Sequence, residues 1–139
     1  MSLQYLLDTN VLSEPIRERP NKNVLRRLRL FDDVVATASV VWHELIYGCY
    51  RLPDSPRRHA IETYFHETVW KGMPILEYTR KAATWHAAER ARLEILEQVP
   101  PYVDGQIAAI AKVNGLVLVT NNVRDFQHFD GLEIENWFR

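Results

Sequence analysis

Four acidic residues in this 139-residue chain stand at junctions where a carboxylate has chemistry available to it: Asp8, Glu44, Asp104 and Asp125. Asp8 ends the apolar run Tyr5-Leu6-Leu7 and is followed by Thr9 and Asn10. Glu44 lies at helical spacing from Val40, Val41, Tyr47 and Gly48, so apolar surface borders it. Asp104, with Gly105 beside it, opens an alanine-rich apolar segment, and Asp125 follows the polar pair Asn121-Asn122. Each also has a plain structural explanation. A strand-end Asp caps a turn, a helical Glu is usually solvated, an acid in a first helical turn suits the macrodipole, and Asp125 can pair with Arg124. Convergence of the four would change that reading. Acids brought together without partners repel one another and their pKa values rise. A divalent cation relieves the repulsion, and carboxylates with water suit Mg2+ or Mn2+. Such a centre polarises a phosphodiester and readies a water for in-line attack on phosphorus.

The elements that must position these acids follow from the apolar pattern. Tyr5–Leu7 reads as a buried strand delivering Asp8 to its end. A helix from about Asn23 to Leu30 turns Val24, Leu25 and Leu28 to one side and Arg26, Arg27 and Arg29 to the other. Val34–Ala38 is a second strand, and Ser39 is placed to cap the next helix, which carries Glu44 and runs to about Tyr50. Pro53-Asp54-Ser55-Pro56 makes a turn and cap before a helix through Ile61, Tyr64 and Phe65. Ile75-Leu76 is a very short strand. The helix from about Thr79 to Leu96 offers a small-residue stripe of Ala82, Ala83, Ala87 and Ala91 for close packing, with Glu89 among the residues assigned to water. Pro100-Pro101 separates it from the helix behind Asp104, which stops at Asn114-Gly115. Leu116–Thr120 is the strongest buried strand, and Leu132–Ile134 alternates as a last one. Strands separated by helices imply βα units and a parallel sheet, whose ligands bind beyond the carboxyl ends of the strands. Asp8 and Asn121-Asn122 would open on that same edge.

Composition sets the limits. With 17 basic and 18 acidic residues, bulk charge does not indicate nucleic-acid binding, although a local basic face remains open. The single cysteine, Cys49, cannot form an internal disulfide, which fits a reducing cytoplasm. No apolar run approaches the length of a membrane span, and Met1-Ser2-Leu3-Gln4 lacks the features of an export signal. One cytoplasmic domain over residues 1–139 is the expectation.

Four segments together resemble the PIN-domain family, and more narrowly the VapC and FitB toxins of bacterial toxin–antitoxin pairs. They are Leu6-Leu7-Asp8-Thr9-Asn10-Val11-Leu12-Ser13-Glu14, Trp42-His43-Glu44-Leu45 with Gly48, Asp104 with Ile107-Ala108 and Ala111, and Val119-Thr120-Asn121-Asn122 with Asp125-Phe126. Gly131-Leu132, Ile134 and Asn136-Trp137 extend the likeness to the end of the chain. The resemblance implies an α/β/α sandwich around a central parallel sheet and an endoribonuclease dependent on Mg2+ or Mn2+. It places Asp8, Glu44 and Asp104 as metal-binding acids and Asp125 as the fourth catalytic acid, although some relatives carry that acid where Asn122 stands here. Thr9, Asn10, Thr120 and Asn122 are the supporting polar groups. It further implies an RNA substrate, often tRNA, silencing by a VapB-like antitoxin protein, a homodimer, and contact with DNA only through the antitoxin. Arg26, Arg27 and Arg29 are candidates for RNA phosphates, against the plainer reading of a solvated helix face.

Other chemistries fail at the motif level. His43-Glu44 begins a zinc-protease helix, but Tyr47 stands where the second His ligand is needed. An aspartyl-phosphate phosphatase needs an acid at Asn10. Glycine-rich nucleotide loops are absent, and His59, His66, His86 and His128 show no ligand or triad spacing. The remaining alternative is a non-catalytic member of the same family that acts with an antitoxin as a DNA-binding regulator.

Overall fold

In a computed structural model describing residues 2–139, five parallel strands form one sheet in the order β3-β2-β1-β4-β5. The reading of the first residues as no export signal falls partly on Met1, outside the described residues. The strands are β1 (Tyr5–Leu7), β2 (Val35–Ala38), β3 (Ile75–Leu76), β4 (Val117–Val119) and β5 (Ile134–Glu135). Seven α-helices accompany them: α1 (Thr9–Leu12), α2 (Lys22–Leu30), α3 (Ser39–Tyr50), α4 (Pro56–Phe65), α5 (Arg80–Ile95), α6 (Tyr102–Val113) and α7 (Val123–Phe126). A 3-10 turn follows α1 and a π-helical turn, His66–Trp70, extends α4.

The first strand made is the central one. Tyr5 pairs with Val35 on one side and Val117 on the other, and Leu6 and Leu7 are wholly buried. Covering a leucine on both faces of a sheet removes roughly 1.5–3 kcal/mol worth of apolar surface from water. The chain leaves β1 toward β2 and β3, then returns to add β4 and β5 on the opposite side. The order therefore reverses between β1 and β4, and a crevice opens at their carboxyl ends. Thr37 of β2 tightens this edge by donating its hydroxyl to the Leu7 carbonyl at 2.7 Å.

Several local expectations shift. Ser39 is the first helical residue of α3 rather than its cap; Ala38 takes the cap position with no side-chain bond. The last strand lies later, at Ile134–Glu135. On α5 the packed stripe is Ala82, His86, Glu89 and Leu93, whereas Ala87 and Ala91 are exposed. Apolar and polar residues are spread almost evenly around this helix, so the pattern alone could not choose its inner face. Glu89, assigned to water above, is buried. It accepts two bonds from Arg92 (2.8 and 2.9 Å) and the Asp130 backbone N–H, which anchors the loop behind α7 to α5. The Arg92 guanidinium holds the Glu89 carboxyl below its usual range.

α5 meets α6 at one tight point. A Cβ on Gly105 would stand 2.1 Å from His86 Nε2, so the imidazole fills the space a side chain would take. His86 is not free to swing away: Tyr78 bonds its Nδ1 at 2.8 Å and it is only 4% exposed. Gly105→Ala should therefore destabilise the fold by about 1–3 kcal/mol. In denaturant titrations the double variant with His86→Ala should cost less than the two single changes added, by about 1 kcal/mol. Strict additivity would show that the wedge does not exist.

Candidate active site

Asp8 ends the central strand with 4% of its surface exposed, and two short polar side chains and one backbone N–H hold it. One carboxylate oxygen accepts the Thr9 backbone N–H at 2.8 Å; the other accepts the Thr120 hydroxyl at 2.8 Å and the Asn10 amide at 3.2 Å. Thr120 lies at the end of β4, across the crevice from Asp8, and its hydroxyl also accepts the Asn122 N–H at 3.0 Å. Asn10 spans the same gap, its carbonyl accepting the Asn121 N–H at 2.9 Å. The Asp-Thr-Asn triplet thus caps the short α1 with its own acid and stitches the ends of β1 and β4.

The other acids surround this crevice from different elements. α3 carries Glu44 partly exposed, with Val41 and Leu45 of the same helix in the core. Asp104 sits half-buried in the first turn of α6, whose buried face of Gly105, Ile107, Ala108 and Ala111 fixes that end of the helix. Asp125 is exposed on α7, which Phe126 pins into the core.

Electrostatics groups the four. The Asp104 pKa is pushed up to about 6, first by burial and then by the charges of Asp8, Asp125 and Glu44. Burial also raises Asp8, helped by Asp125 and opposed by the hydrogen bonds from Thr120, Thr9 and Asn10. Asp125 therefore belongs to the acid group, whereas Asn122 contributes a backbone N–H to Thr120. Among the described residues none of the four acids has an ion-pair partner, although five other acids do. Uncompensated carboxylates at a partly buried edge are a donor set for a hard cation. No three acidic, histidine or cysteine side chains among the described residues stand close enough to enclose an ion unaided.

The arginines of α2 are not brought to the acids. The helix starts near Phe138, whose carbonyl accepts from Asn21 and Asn23, and ends at Phe31, whose ring packs on Tyr5 at the beginning of β1. Arg26 and Arg29 are exposed on this second half, and Arg27 donates to the Asn136 carbonyl at 3.2 Å. Arg27 thus holds the tail rather than an open face. Asn136 in turn donates to the Asn121 side chain at 3.3 Å, which links Arg27 to Asn10 and Asp8 through the tail. Sequence reasoning gave Asn136 no role, because its partner lies 15 residues away on another strand end and the spacing of the two motifs does not show that they meet.

The PIN domain family matches residues 5–132 of the chain. The chain is 33% identical over 135 residues to a Shigella flexneri protein named tRNA(fMet)-specific endonuclease VapC, covering 97% of this chain and 98% of that one. In structure it is similar to FitAcB from Neisseria gonorrhoeae, with a TM-score of 0.89, 27% identity and coverage of 98% and 99%. DNA-bound VapBC from Salmonella typhimurium gives 0.85, 30%, and 97% and 98%. With the family matched over nearly its whole length and the acids gathered on one sheet edge, this chain belongs to the PIN-domain family, in its VapC and FitB branch.

Proposed function

We propose that the protein is a metal-dependent endoribonuclease toxin of a bacterial toxin–antitoxin pair. The observation that carries this is the crevice at the β1–β4 switch point, where burial and the charges of the neighbouring acids raise the pKa of Asp104, burial and Asp125 raise that of Asp8, and no ion pair among the described residues answers the four carboxylates. Kinship with a tRNA-specific endonuclease makes RNA the substrate class, with tRNA the first to try. An antitoxin protein is the partner, since its structural neighbours are VapBC and FitAB complexes, and DNA is reached only through that partner. No helix among the described residues is long and apolar enough to cross a membrane, and the cytoplasm is the proposed place of action.

Asp8, Glu44 and Asp104 would hold the cation, Mg2+ or Mn2+, with Asp125 completing the acidic wall. When bound, the cation supplies a Lewis acid that polarises the phosphodiester and activates water for attack on phosphorus. The protein's own task is to hold its acids in place. Three hydrogen bonds fix Asp8 yet leave part of its acceptor capacity unused. Thr120 and Asn10 keep the two strand ends in register around it, and α6 sets Asp104 opposite through the packing of Gly105 on His86.

Purified protein should cleave tRNA or total RNA with Mg2+ or Mn2+ and stop in EDTA. Asp8→Asn and Asp104→Asn should lower kcat by at least a hundredfold while circular dichroism stays unchanged. Equal RNA patterns for wild type and both variants would leave the non-catalytic, DNA-regulating reading in place. The variants should also separate activity from stability. The folded protein holds the Asp104 proton up to about pH 6, while the unfolded chain releases it near the ordinary 3.8. Stability therefore falls as pH rises between these values, and the whole cost is present above pH 6. Water reaching the half-buried carboxyl screens part of that cost. In EDTA at pH 7.5, Asp104→Asn should melt higher than wild type, by on the order of 1 kcal/mol or about 3 °C, with the gain fading toward pH 4.

A further inference from the structure

Beside the acids, between α7 and the C-terminal tail, lies an open cleft of about 720 Å³. Arg124 and Arg139 stand in its wall with the carboxamides of Asn121, Asn122, Gln127 and Asn136, and Asp125 joins it to the acidic crevice. Both arginines are exposed and neither makes an ion pair among the described residues. Six other arginines are already engaged. Arg17, Arg90 and Arg92 pair with glutamates, Arg51 and Arg58 lie over tyrosine rings, and Arg27 holds the tail.

The wall of this cleft is almost wholly polar, Val123 being its one apolar residue. On the other side of Glu44 the surface changes character, to a groove lined by Ile16, Leu45, Leu52, Ile61 and Phe65. An amphipathic protein segment would lose its apolar contacts in the first cleft and find them in the second. A nucleic-acid strand needs the reverse: guanidinium groups for its phosphates, and donor–acceptor amides for ribose hydroxyls and base edges.

Resting on the ribonuclease reading, we propose that the cleft between α7 and the tail is the subsite for the RNA strand flanking the scissile phosphate. Arg124 and Arg139 hold its neighbouring phosphates there, and the four carboxamides meet its sugars and bases. The Arg27–Asn136–Asn121 chain is then the positioning device that keeps the tail, and Arg139 with it, at the rim of the acid site. Net charge near zero does not oppose this, because two local cations suffice to orient a strand that the metal-loaded acids then engage.

The test is binding of a fluorescein-labelled single-stranded RNA to the full chain in EDTA, from 50 to 200 mM salt, together with KM for cleavage in Mg2+. Arg124→Ala and Arg139→Ala should each weaken binding roughly three- to tenfold at 100 mM salt and raise KM in parallel. Each should make the plot of log affinity against log salt shallower by about 0.7, the counterions released by one single-strand phosphate contact. Arg124→Lys and Arg139→Lys should restore the slope, and Arg26→Ala and Arg29→Ala on α2 should keep it at the wild-type value. If wild type binds and cleaves RNA but both alanine variants keep its slope and KM, the cleft assignment is wrong and the ribonuclease reading stands. The assignment also fails if those variants keep RNA binding and lose affinity for the antitoxin instead. A wild-type protein that neither binds nor cleaves RNA overturns both readings.

Discussion

Repulsion among unpaired carboxylates is the constraint on which this molecule depends. A fold left to minimise its own free energy would place a lysine or arginine beside Asp8, whose burial makes its charge costly. Here neutral donors do that work instead: one threonine hydroxyl, one carboxamide and one backbone N–H. They stabilise the charge without cancelling it. At Asp104 burial, and after it the charges of Asp8, Asp125 and Glu44, push the pKa up to about 6. The rest of the architecture supplies the stability that this site withholds, through β1 buried on both faces and the alanine-rich face of α6 in the core.

The site is built from strand ends, which explains its geometry. A sheet that reverses its order between β1 and β4 leaves two carboxyl ends adjacent. Side chains must then join them, and Asn10 and Thr120 do so across 110 residues of sequence. Asn121 passes the connection to Asn136, and Arg27 fixes Asn136 from the side of α2. Positions with no chemistry of their own, in the tail and on α2, thereby bear on where Asp8 stands.

Much of this was legible beforehand, and for physical reasons. Apolar runs too short for helices, separated by helical periodicity, specify a parallel sheet, and strand-end polar residues specify which edge is functional. Asp8 and Asp104 stood out because each borders an apolar run, whereas Asp125 sits in a polar turn, and its charge acts on Asp8 and Asp104 in the folded chain. What the sequence concealed was rotational. Around α5 the even spread of apolar residues hid which side faced inward, so Glu89 and His86 passed for ordinary residues until Arg92, Asp130 and Gly105 were seen against them. The arginines of α2 looked like a phosphate-binding face because charge spacing says nothing about which end of a helix approaches the site. Arg27 instead spends its guanidinium on the tail.

The order in which the strands are made has a consequence during synthesis. Asp8 emerges first, on the strand that becomes the centre of the sheet, while its partner Thr120 is 112 residues further along. At about 5–20 residues per second, a ribosome spends several seconds with Asp8 outside and β4 unmade. For that interval a nascent chain carries Asp8 without the strand end whose hydroxyl holds it.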